Sequence, residues 1–210
     1  MGKTPEQLDS SISSRIPILI GRDPRYFEDK YQGIPMQGYT QLIEKMLDAP
    51  NIEVQLDCEA LCVVTPDTCG KFKKIFHTGP IDEFFGYKYG TLPYRSLKFE
   101  TQVLDTEYYQ NNSVVNYPCN YDFTRIHEFK YYLNEKSPKT VIAREYPEKF
   151  EIGKNDRYYP EISSESLSLY DKYVQSAKSI GNIFFLGRLG SYKYLDMDKA
   201  VEQAIAFLGK

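Results

Sequence analysis

An arginine on an aromatic face is the side chain with the clearest capacity for chemistry in this sequence. Arg125 stands in Phe-Thr-Arg-Ile-His, where alternation predicts a strand on which it shares a face with Phe123 and Phe129. Its planar guanidinium can bind a carboxylate or a phosphate through two parallel hydrogen bonds. Arg125 is therefore either a paired core charge or an anion ligand, and the neighbouring residues leave both interpretations open.

Tyrosine is the second residue type that suits an anion or a sugar. The chain has 19 tyrosines and no tryptophan. A tyrosine carries a hydroxyl donor on a stiff apolar body, but aromatic residues also favour strands, so a β-rich core is the simpler explanation of the composition. Tyr158-Tyr159-Pro160 precedes a capped helix, a junction where paired tyrosines usually only pack.

A glycine-flanked arginine follows a short apolar run near the C-terminus. The unbroken run Ile183–Leu186 is typical of a strand buried on both faces, and Gly187-Arg188-Leu189-Gly190 follows it. Ligands of open α/β sheets bind at the carboxyl ends of strands. Asp196 stands before the last predicted helix, either as its N-cap or as part of a helix start that faces a cofactor.

Several other chemistries lack their motifs. The sequence has no GxGxxG after a strand, no P-loop, no HExxH and no GxSxG. Its four cysteines and two histidines match no standard zinc spacing, so we expect no metal site. Lys and Arg total 26 against 29 Asp and Glu, which gives non-specific nucleic-acid binding little electrostatic basis. No apolar window is long enough to span a membrane, and we expect a cytoplasmic protein.

Strands dominate the middle of the predicted fold, and helices flank them. Short connections between the later strands favour antiparallel neighbours, so we predict an α+β fold with a mostly antiparallel sheet of about six strands. A helix–strand–helix ending resembles the last unit of a truncated α/β domain. The predicted strands are Ile16–Ile20, Ile52–Leu56, Lys71–Thr78, Tyr94–Leu104, Ser113–Tyr117, Phe123–Leu133, Lys139–Tyr146 and Asn182–Gly187.

Helix signals are clearest in the last third of the chain. Ser163 or Ser164 is predicted to cap a helix that ends at Gly181. A last helix is expected from about Met197, with an inward face that carries Val201, Ile205 and Leu208.

Eight strings, taken together, resemble the UDP-galactopyranose mutase family in order and in spacing. The resemblance extends from about residue 2 to the C-terminus. Members of that family are flavoenzymes that interconvert UDP-galactopyranose and UDP-galactofuranose for cell-surface polysaccharide biosynthesis. The strings are Tyr31-Gln-Gly-Ile-Pro35, Thr78-Gly-Pro-Ile-Asp82, Tyr94-Arg-Ser-Leu-Lys-Phe-Glu100, Val115-Asn-Tyr117, Thr124-Arg-Ile-His-Glu128, Thr140-Val-Ile-Ala-Arg-Glu-Tyr-Pro147, Tyr158-Tyr-Pro160 and Gly187-Arg-Leu-Gly-Ser-Tyr-Lys-Tyr-Leu-Asp-Met197.

The resemblance implies three parts of the chain. Residues 1–50 would be a helical and loop remnant with a mobile-loop segment, and residues 51–160 an antiparallel-sheet substrate domain. Residues 161–210 would form the C-terminal helix–strand–helix of a truncated FAD-binding domain. The family's dinucleotide-binding motif would lie upstream of Met1, so we expect a C-terminal fragment that does not retain FAD alone.

The mechanism implied by the resemblance is covalent and is carried by the cofactor. Reduced flavin N5 attacks the anomeric carbon, UDP leaves, and the ring opens and recloses as a furanose. The chain would hold the diphosphate of UDP-galactose through Arg125, assisted by Tyr159 and Tyr194. No residue would be catalytic alone and none would bind a metal. The remaining implied site residues are Asn116 and Tyr31 in the substrate pocket, and Arg188, Asp196 and Met197 beside the flavin.

One departure concerns the mobile loop. Leu19, in Arg15-Ile-Pro-Ile-Leu19, stands where the family has an arginine, and whether Arg22 replaces it is left open. We expect the isolated chain to be inactive without a separately encoded flavin-binding half. Whether the truncation is natural is open. The alternatives are a noncatalytic module that binds UDP-sugars or a protein, and a decayed product without a role.

A last expectation concerns association. Apolar side chains of Ile183–Leu186 and an unpaired strand edge favour self-association, a fold-back onto the sheet, or pairing with the flavin-binding half.

Overall fold

A computed structural model describes residues 29–118 and 120–208 of the 210-residue chain. The predicted strand Ile16–Ile20, the loop residues Leu19 and Arg22, and Cys119 lie outside the described residues. The described residues divide into two compact units. The first unit comprises Cys58–Ser96 and residues 149–208, and the second comprises residues 29–57 and Leu97–Glu148. The three-part division expected from the sequence stays a prediction.

Helices and strands are mixed along the described part of the chain, which confirms the predicted α+β class. Two 3₁₀ turns, Ala60–Cys62 and Cys69–Lys71, add to them. The helices are α1 (Gly38–Leu47), α2 (Ile81–Phe84), α3 (Lys130–Leu133), α4 (Ser164–Ile180), α5 (Gly187–Gly190) and α6 (Met197–Leu208). The strands are β1 (Ile75–His77), β2 (Tyr94–Leu104), β3 (Val114–Asn116), β4 (Arg125–Glu128), β5 (Thr140–Lys149), β6 (Tyr159–Pro160) and β7 (Ile183–Phe185).

The larger sheet has five strands in the order β3-β4-β5-β2-β6. The pairs β3–β4, β4–β5 and β2–β6 are antiparallel, which confirms the expected pairing of the two neighbouring strands β4 and β5. The sheet has five strands where about six were expected. The chain passes between the two units inside β2, after Ser96, and inside β5, after Glu148.

Strand β4 is shorter than the predicted strand Phe123–Leu133, because Lys130–Leu133 forms the helical turn α3. The Lys130 side chain is buried and its Nζ donates to the carbonyls of Glu107 and Ser137, at 2.5 and 2.8 Å. A buried ammonium needs such acceptors, and the turn brings it to them. The segment Ile52–Leu56, predicted as a strand, is exposed irregular chain, so that prediction is wrong.

Helix α4 in the first unit begins and ends as its sequence predicts. The Ser163 hydroxyl accepts a hydrogen bond from the Ser166 N–H, and the Ser166 side chain bonds back to the Ser163 N–H. Gly181, at φ 88°, ends the helix in the left-handed conformation that glycine adopts without strain. The helix buries Tyr173 and Ala177 in an apolar cluster that also contains Phe85.

The C-terminal strand β7 pairs in parallel with β1, with Ile75 opposite Ile183 and His77 opposite Phe185. Ile183 and Leu186 are buried, whereas Phe184 and Phe185 are half-buried. A strand from this chain therefore covers one edge of β7, which the sequence did not reveal. Self-association stays a prediction.

Helix α6 packs on these strands through Phe207, whose ring lies 6.0 Å from Phe76 and 4.9 Å from Phe184. The face with Val201, Ile205 and Leu208 is exposed, so the expectation that it points inward is wrong. None of the described helices is long and apolar enough to cross a membrane.

The capping box of α4 gives the first prediction. Ser163→Ala removes the acceptor for the Ser166 N–H and should lower the free energy of unfolding by about 1 kcal/mol (roughly 0.5–2) in urea titrations. Ser179→Ala is the matched control, because Ser179 lies on the same helix, is exposed, and its hydroxyl donates only to the Gln175 carbonyl. Equal losses in both variants would contradict a capping role.

Candidate functional site

A carboxylate shared by several donors marks the first candidate site, in the second unit. Register places Glu145 of β5 directly opposite Arg125 of β4. Arg125 Nε lies 3.5 Å from Glu145 Oε1, and the Thr124 hydroxyl donates to the same oxygen at 3.2 Å. The second oxygen, Oε2, lies 3.3 Å from His127 Nε2. Because β4 alternates, Arg125 and His127 project to the same side, where both reach Glu145.

Burial and charge oppose each other at Glu145, whose side chain is 8% exposed. Burial acts to raise the pKa of this carboxyl. The hydrogen bond from His127, the Arg125 charge and the Thr124 hydroxyl outweigh it, and the pKa lies below its usual value. Glu145 is therefore an ionised acceptor at neutral pH.

Arg125 is both paired and accessible. The two interpretations that the sequence left open, a paired charge and an anion ligand, therefore do not exclude each other. Its side chain is 40% exposed, and among the described residues no hydrogen bond engages its two Nη groups. Asn116 of β3 lies directly opposite Arg125 and is exposed. The structure thus brings these two predicted site residues side by side. Of the two aromatic residues expected to share a face with Arg125, Phe129 is largely exposed and packs against Tyr132.

Tyr31, the other predicted substrate residue of this unit, is 83% exposed. Its ring contact among the described residues is with Lys30, whose Nζ lies 5.2 Å from the ring centroid. The structure does not bring Tyr31 into contact with Arg125 or Asn116.

Two stacked tyrosines form the second candidate site, in the first unit. Tyr159 of β6 and Tyr194, which follows α5, stack with ring centroids 4.9 Å apart and an 8° angle between the planes. Arg188 lies over both rings, at 5.0 and 5.3 Å from their centroids. The structure therefore brings together three residues that the sequence assigned to the substrate and the cofactor.

Arg188 is itself engaged by backbone carbonyls. Its Nε and Nη2 donate to the Leu195 carbonyl at 3.1 and 2.6 Å, and Nη1 donates to the Tyr158 carbonyl at 3.3 Å. These bonds fix the chain just before α6 and hold the tyrosine stack. Arg188 therefore orients its neighbours and has two of its five N–H groups left for a ligand.

The carboxyl ends of β1 and β7 meet beside this stack, at the position where open α/β sheets bind ligands. The Leu186 N–H donates to the His77 carbonyl at 3.0 Å. A Cβ on Gly190 would stand 2.8 Å from that carbonyl oxygen and 3.4 Å from the Gly79 oxygen, so only glycine fits. The strings around Gly79 and Gly190 are therefore adjacent in space. Thr78–Asp82 was one of the eight strings that carry the resemblance, but it was assigned to no site.

Asp196 and Met197 stand at the start of α6. The Asp196 carbonyl accepts from the Ala200 N–H at 3.0 Å, and Met197 is 64% exposed. The Gln203 side chain accepts from the Gly187 N–H at 2.7 Å, which ties α6 to the end of β7. The first N–H groups of this 12-residue helix have no acceptor within the helix.

Sequence analysis assigned neither Glu145 nor His127 to a site. Their spacing from Arg125 along the chain carries no signal, since only the pairing of β4 with β5 places them together. No cluster of three or more possible metal ligands occurs among residues 29–118 and 120–208.

The fold and these clusters define a mixed α+β protein whose accessible guanidinium and tyrosines suit a polar, anionic ligand. The family model described as UDP-galactopyranose mutase matches residues 1–194, and the chain belongs to that family.

Curated relatives carry two kinds of name. The chain is 39% identical over 208 residues to a probable UDP-galactopyranose mutase of Klebsiella pneumoniae, covering 97% of the chain and 52% of the relative. It is 36% identical to a dTDP-fucopyranose mutase of Escherichia coli, covering 97% and 55%. It is 35% identical to the UDP-galactopyranose mutase of Mycoplasma pneumoniae, covering 96% and 53%. The chain spans about half the length of these relatives.

The lowered pKa of Glu145 predicts a pH-dependent stability. A carboxyl whose pKa is depressed by folding contributes stability above its unfolded pKa, and this contribution is lost as the pH falls through the folded pKa. Glu145→Gln should therefore lower the free energy of unfolding by about 1–3 kcal/mol at neutral pH. The deficit should shrink as the pH falls from the ordinary glutamate pKa through the lower pKa of folded Glu145, where the wild-type carboxyl becomes protonated.

Urea titrations at a series of pH values measure this difference. Glu135→Gln is the control, since Glu135 lies in the same unit and is exposed. It should stay within about 0.5 kcal/mol of wild type. A Glu145→Gln deficit that is the same at every pH would show that the charge is not the cause.

Proposed function

We propose that this chain provides substrate-binding residues of a flavin-dependent UDP-galactopyranose mutase, an isomerase that interconverts UDP-galactopyranose and UDP-galactofuranose. The observation that carries the proposal is Arg125, which has a fixed charge, two unengaged Nη groups and a carboxylate that holds its Nε side. Family membership supports the substrate class. Because the chain spans about half the length of its relatives, the activity itself is part of the proposal.

Arg125 would bind the diphosphate of the substrate. Two Nη groups present parallel N–H donors, the geometry that matches phosphate oxygens. Glu145 forms an ion pair with Arg125, with Oε1 3.5 Å from Nε, and so restricts the rotation of the guanidinium. Asn116, directly opposite on β3, supplies an amide that can donate to or accept from a sugar hydroxyl. Tyr31 is proposed as a further substrate residue on the resemblance alone.

Tyr159 and Tyr194 would donate their hydroxyls to phosphate oxygens. The stack and Arg188 fix both rings, so little side-chain entropy would be lost on binding. The positive charge of Arg188 over the rings also favours an anion near the hydroxyls. Neutral donors suit a leaving diphosphate because they bind it without releasing a proton into the reaction.

The residues beside the strand ends fit a flavin, although they do not form a complete site. Close packing at Gly79 and Gly190 brings the two backbone segments together, and the first N–H groups of α6, which have no acceptor within the helix, would face carbonyl or phosphate oxygens of the cofactor. Asp196, Met197 and the remaining N–H groups of Arg188 would contact the cofactor. When bound, reduced flavin would supply the nucleophile and the electron reservoir of the reaction.

The protein's own contribution is binding and orientation. Ionic and hydroxyl donors would stabilise the diphosphate as its bond to the anomeric carbon breaks. In the second unit, the parallel donors of Arg125 would restrict the position of the diphosphate and so of the anomeric carbon. The proposed role of the protein therefore requires no side chain with a shifted pKa to transfer a proton.

A second candidate substrate follows from the relative named dTDP-fucopyranose mutase, which is nearly as similar as the named UDP-galactopyranose mutases. Both names describe the conversion of a pyranose carried by a nucleoside diphosphate. The diphosphate contacts proposed here serve either substrate, so a comparison of the two sugar nucleotides decides between them. Conversion of neither by the chain together with a flavin-binding half, with binding retained, would favour the noncatalytic binding module.

Arg125 variants test the proposal. Arg125→Ala should weaken UDP-galactose binding by about 10- to 100-fold, since a hydrogen bond to a charged group contributes about 1.5–3 kcal/mol. Arg125→Lys should recover only part of it, because an ammonium lacks the parallel pair of donors. Ligand-detected NMR or calorimetry at millimolar ligand measures this, with dTDP-fucose in parallel.

Arg144→Ala is the control, since Arg144 lies on β5 in the same unit and its Nη1 donates to Gln102 at 3.1 Å. It should bind like wild type. Equal weakening in the two alanine variants would contradict a specific diphosphate contact at Arg125.

The tyrosine hydroxyls give a separate prediction. Tyr159→Phe and Tyr194→Phe keep the stack and should leave the thermal midpoint nearly unchanged. Each should weaken UDP-galactose binding by about five- to thirtyfold, the effect of one lost hydrogen bond of roughly 1–2 kcal/mol. Tyr89→Phe, an exposed tyrosine of the first unit whose hydroxyl bonds Ser176, should leave affinity unchanged. Loss of stability without loss of affinity would assign the pair a packing role only.

A further inference from the structure

His127 lies where it can control how much of the Glu145 charge remains for Arg125. Its Nε2 contacts Glu145 Oε2 at 3.3 Å, and its Nδ1 contacts the Tyr132 hydroxyl at 3.3 Å. Its side chain is 19% exposed. Both ring nitrogens are therefore engaged, and one carboxylate is shared between His127 and Arg125.

The hydrogen-bond partners define the neutral form of the ring. An ionised carboxylate only accepts, so Nε2 carries the hydrogen that is donated to Glu145. Nδ1 then has no hydrogen and accepts from Tyr132. On protonation Nδ1 becomes a donor, and the Tyr132 hydroxyl can rotate to accept from it. The surroundings satisfy both protonation states without a change of fold.

Few other groups reach the ring of His127. The facing titratable groups are Glu145 from β5 and Tyr132 from α3, and the Phe99 ring of β2 lies 6.3 Å away. The residues opposite His127 in the sheet are Val114 and Ala143, which carry no charge. Burial raises the pKa of Tyr132, so its hydroxyl stays protonated wherever histidine titrates.

We infer that His127 is a positioning residue that acts through Glu145 on Arg125, and that its protonation strengthens the binding of a diphosphate ligand. With neutral His127, Arg125 and Glu145 cancel and the three side chains carry no net charge. With protonated His127, two cations share one carboxylate and the net charge is +1. The attraction of Glu145 for Arg125 is then divided, and the guanidinium is more available to an anion. The inference rests on the proposed diphosphate contact of Arg125.

UDP-galactose is the appropriate probe because each of its two phosphates has one ester bond and shares the anhydride bond with the other. Neither phosphate therefore changes its charge across the pH range used. Histidine side chains change charge between about pH 5 and 8. Wild type should bind UDP-galactose on the order of three- to tenfold more tightly at about pH 5.5 than at about pH 8. His127→Gln should bind with nearly the same affinity at both, and His127→Lys, whose charge is fixed, should stay tight at both.

The chain's other histidine provides the control. His77→Gln should keep the wild-type pH profile, since His77 packs among Phe84 and Phe185 in the first unit, whereas Arg125 belongs to the second. A wild-type affinity that does not change with pH, or a change that persists in His127→Gln, would overturn the inference. A merely structural role of His127 would lower affinity equally at both pH values.

A ligand-free measurement separates this inference from the proposed function. The NMR signals of the Arg125 Nε–H and of the Glu145 carboxyl carbon should both move between about pH 5.5 and 8 in wild type and remain still in His127→Gln. If UDP-galactose fails to bind at any pH, the diphosphate contact is wrong, and these signals decide whether His127 acts on Arg125. Signals that do not move in wild type would refute the coupling whether or not ligand binds.

Discussion

Buried carboxylates that accept several hydrogen bonds are the interaction on which the second unit depends. Glu128 is fully buried and accepts from the Tyr109 and Gln110 N–H groups and from the Thr140 hydroxyl, the last at 2.6 Å. Glu145 is shared by Arg125, His127 and Thr124. A charge removed from water is tolerated only when such donors surround it. The strand register is therefore constrained, because a shift of one residue would turn these carboxylates to the other face.

Aromatic packing and arginines stacked on aromatic rings are prominent in the first unit. Tyr94 and Tyr192 contact edge to face, 5.4 Å apart, in the apolar cluster. Arg157 is buried over Phe150 at 4.3 Å and donates to Glu83 and Tyr87. Arg188 repeats the arrangement over Tyr159 and Tyr194. Guanidinium stacking lets a permanent charge lie within aromatic surroundings, and it leaves ring hydroxyls in fixed positions for other contacts.

The same interactions relate stability to the proposed function. Complete neutralisation of Arg125 would give a more stable sheet and a weaker anion ligand. Among the described residues, Arg125 makes its ion pair at Nε and its Nη groups make no hydrogen bond, which keeps the side chain oriented while its charge stays accessible. His127 contacts the other oxygen of the same carboxylate, beside that ion pair.

The sequence by itself determined the family, the α+β class and the elements with strong local signals. Ser163 and Gly181 bounded α4 correctly because capping depends on neighbouring residues alone. Tyr94–Leu104 forms β2 over the predicted range, since alternation is a local pattern. Arg125 was recognised as important from its residue type and its aromatic flanks.

Tertiary structure alone decided which residues meet. Lys130 ended β4 early because its ammonium bonds the carbonyls of Glu107 and Ser137, 23 and 7 residues away along the chain. The parallel pairing of β7 with β1 joins segments over 100 residues apart and brings Gly190 against the His77 carbonyl. Glu145 and His127 became site residues only through the register of β4 and β5. Local patterns set the conformation of a segment, whereas contacts between segments depend on burial and hydrogen-bond satisfaction across the whole fold.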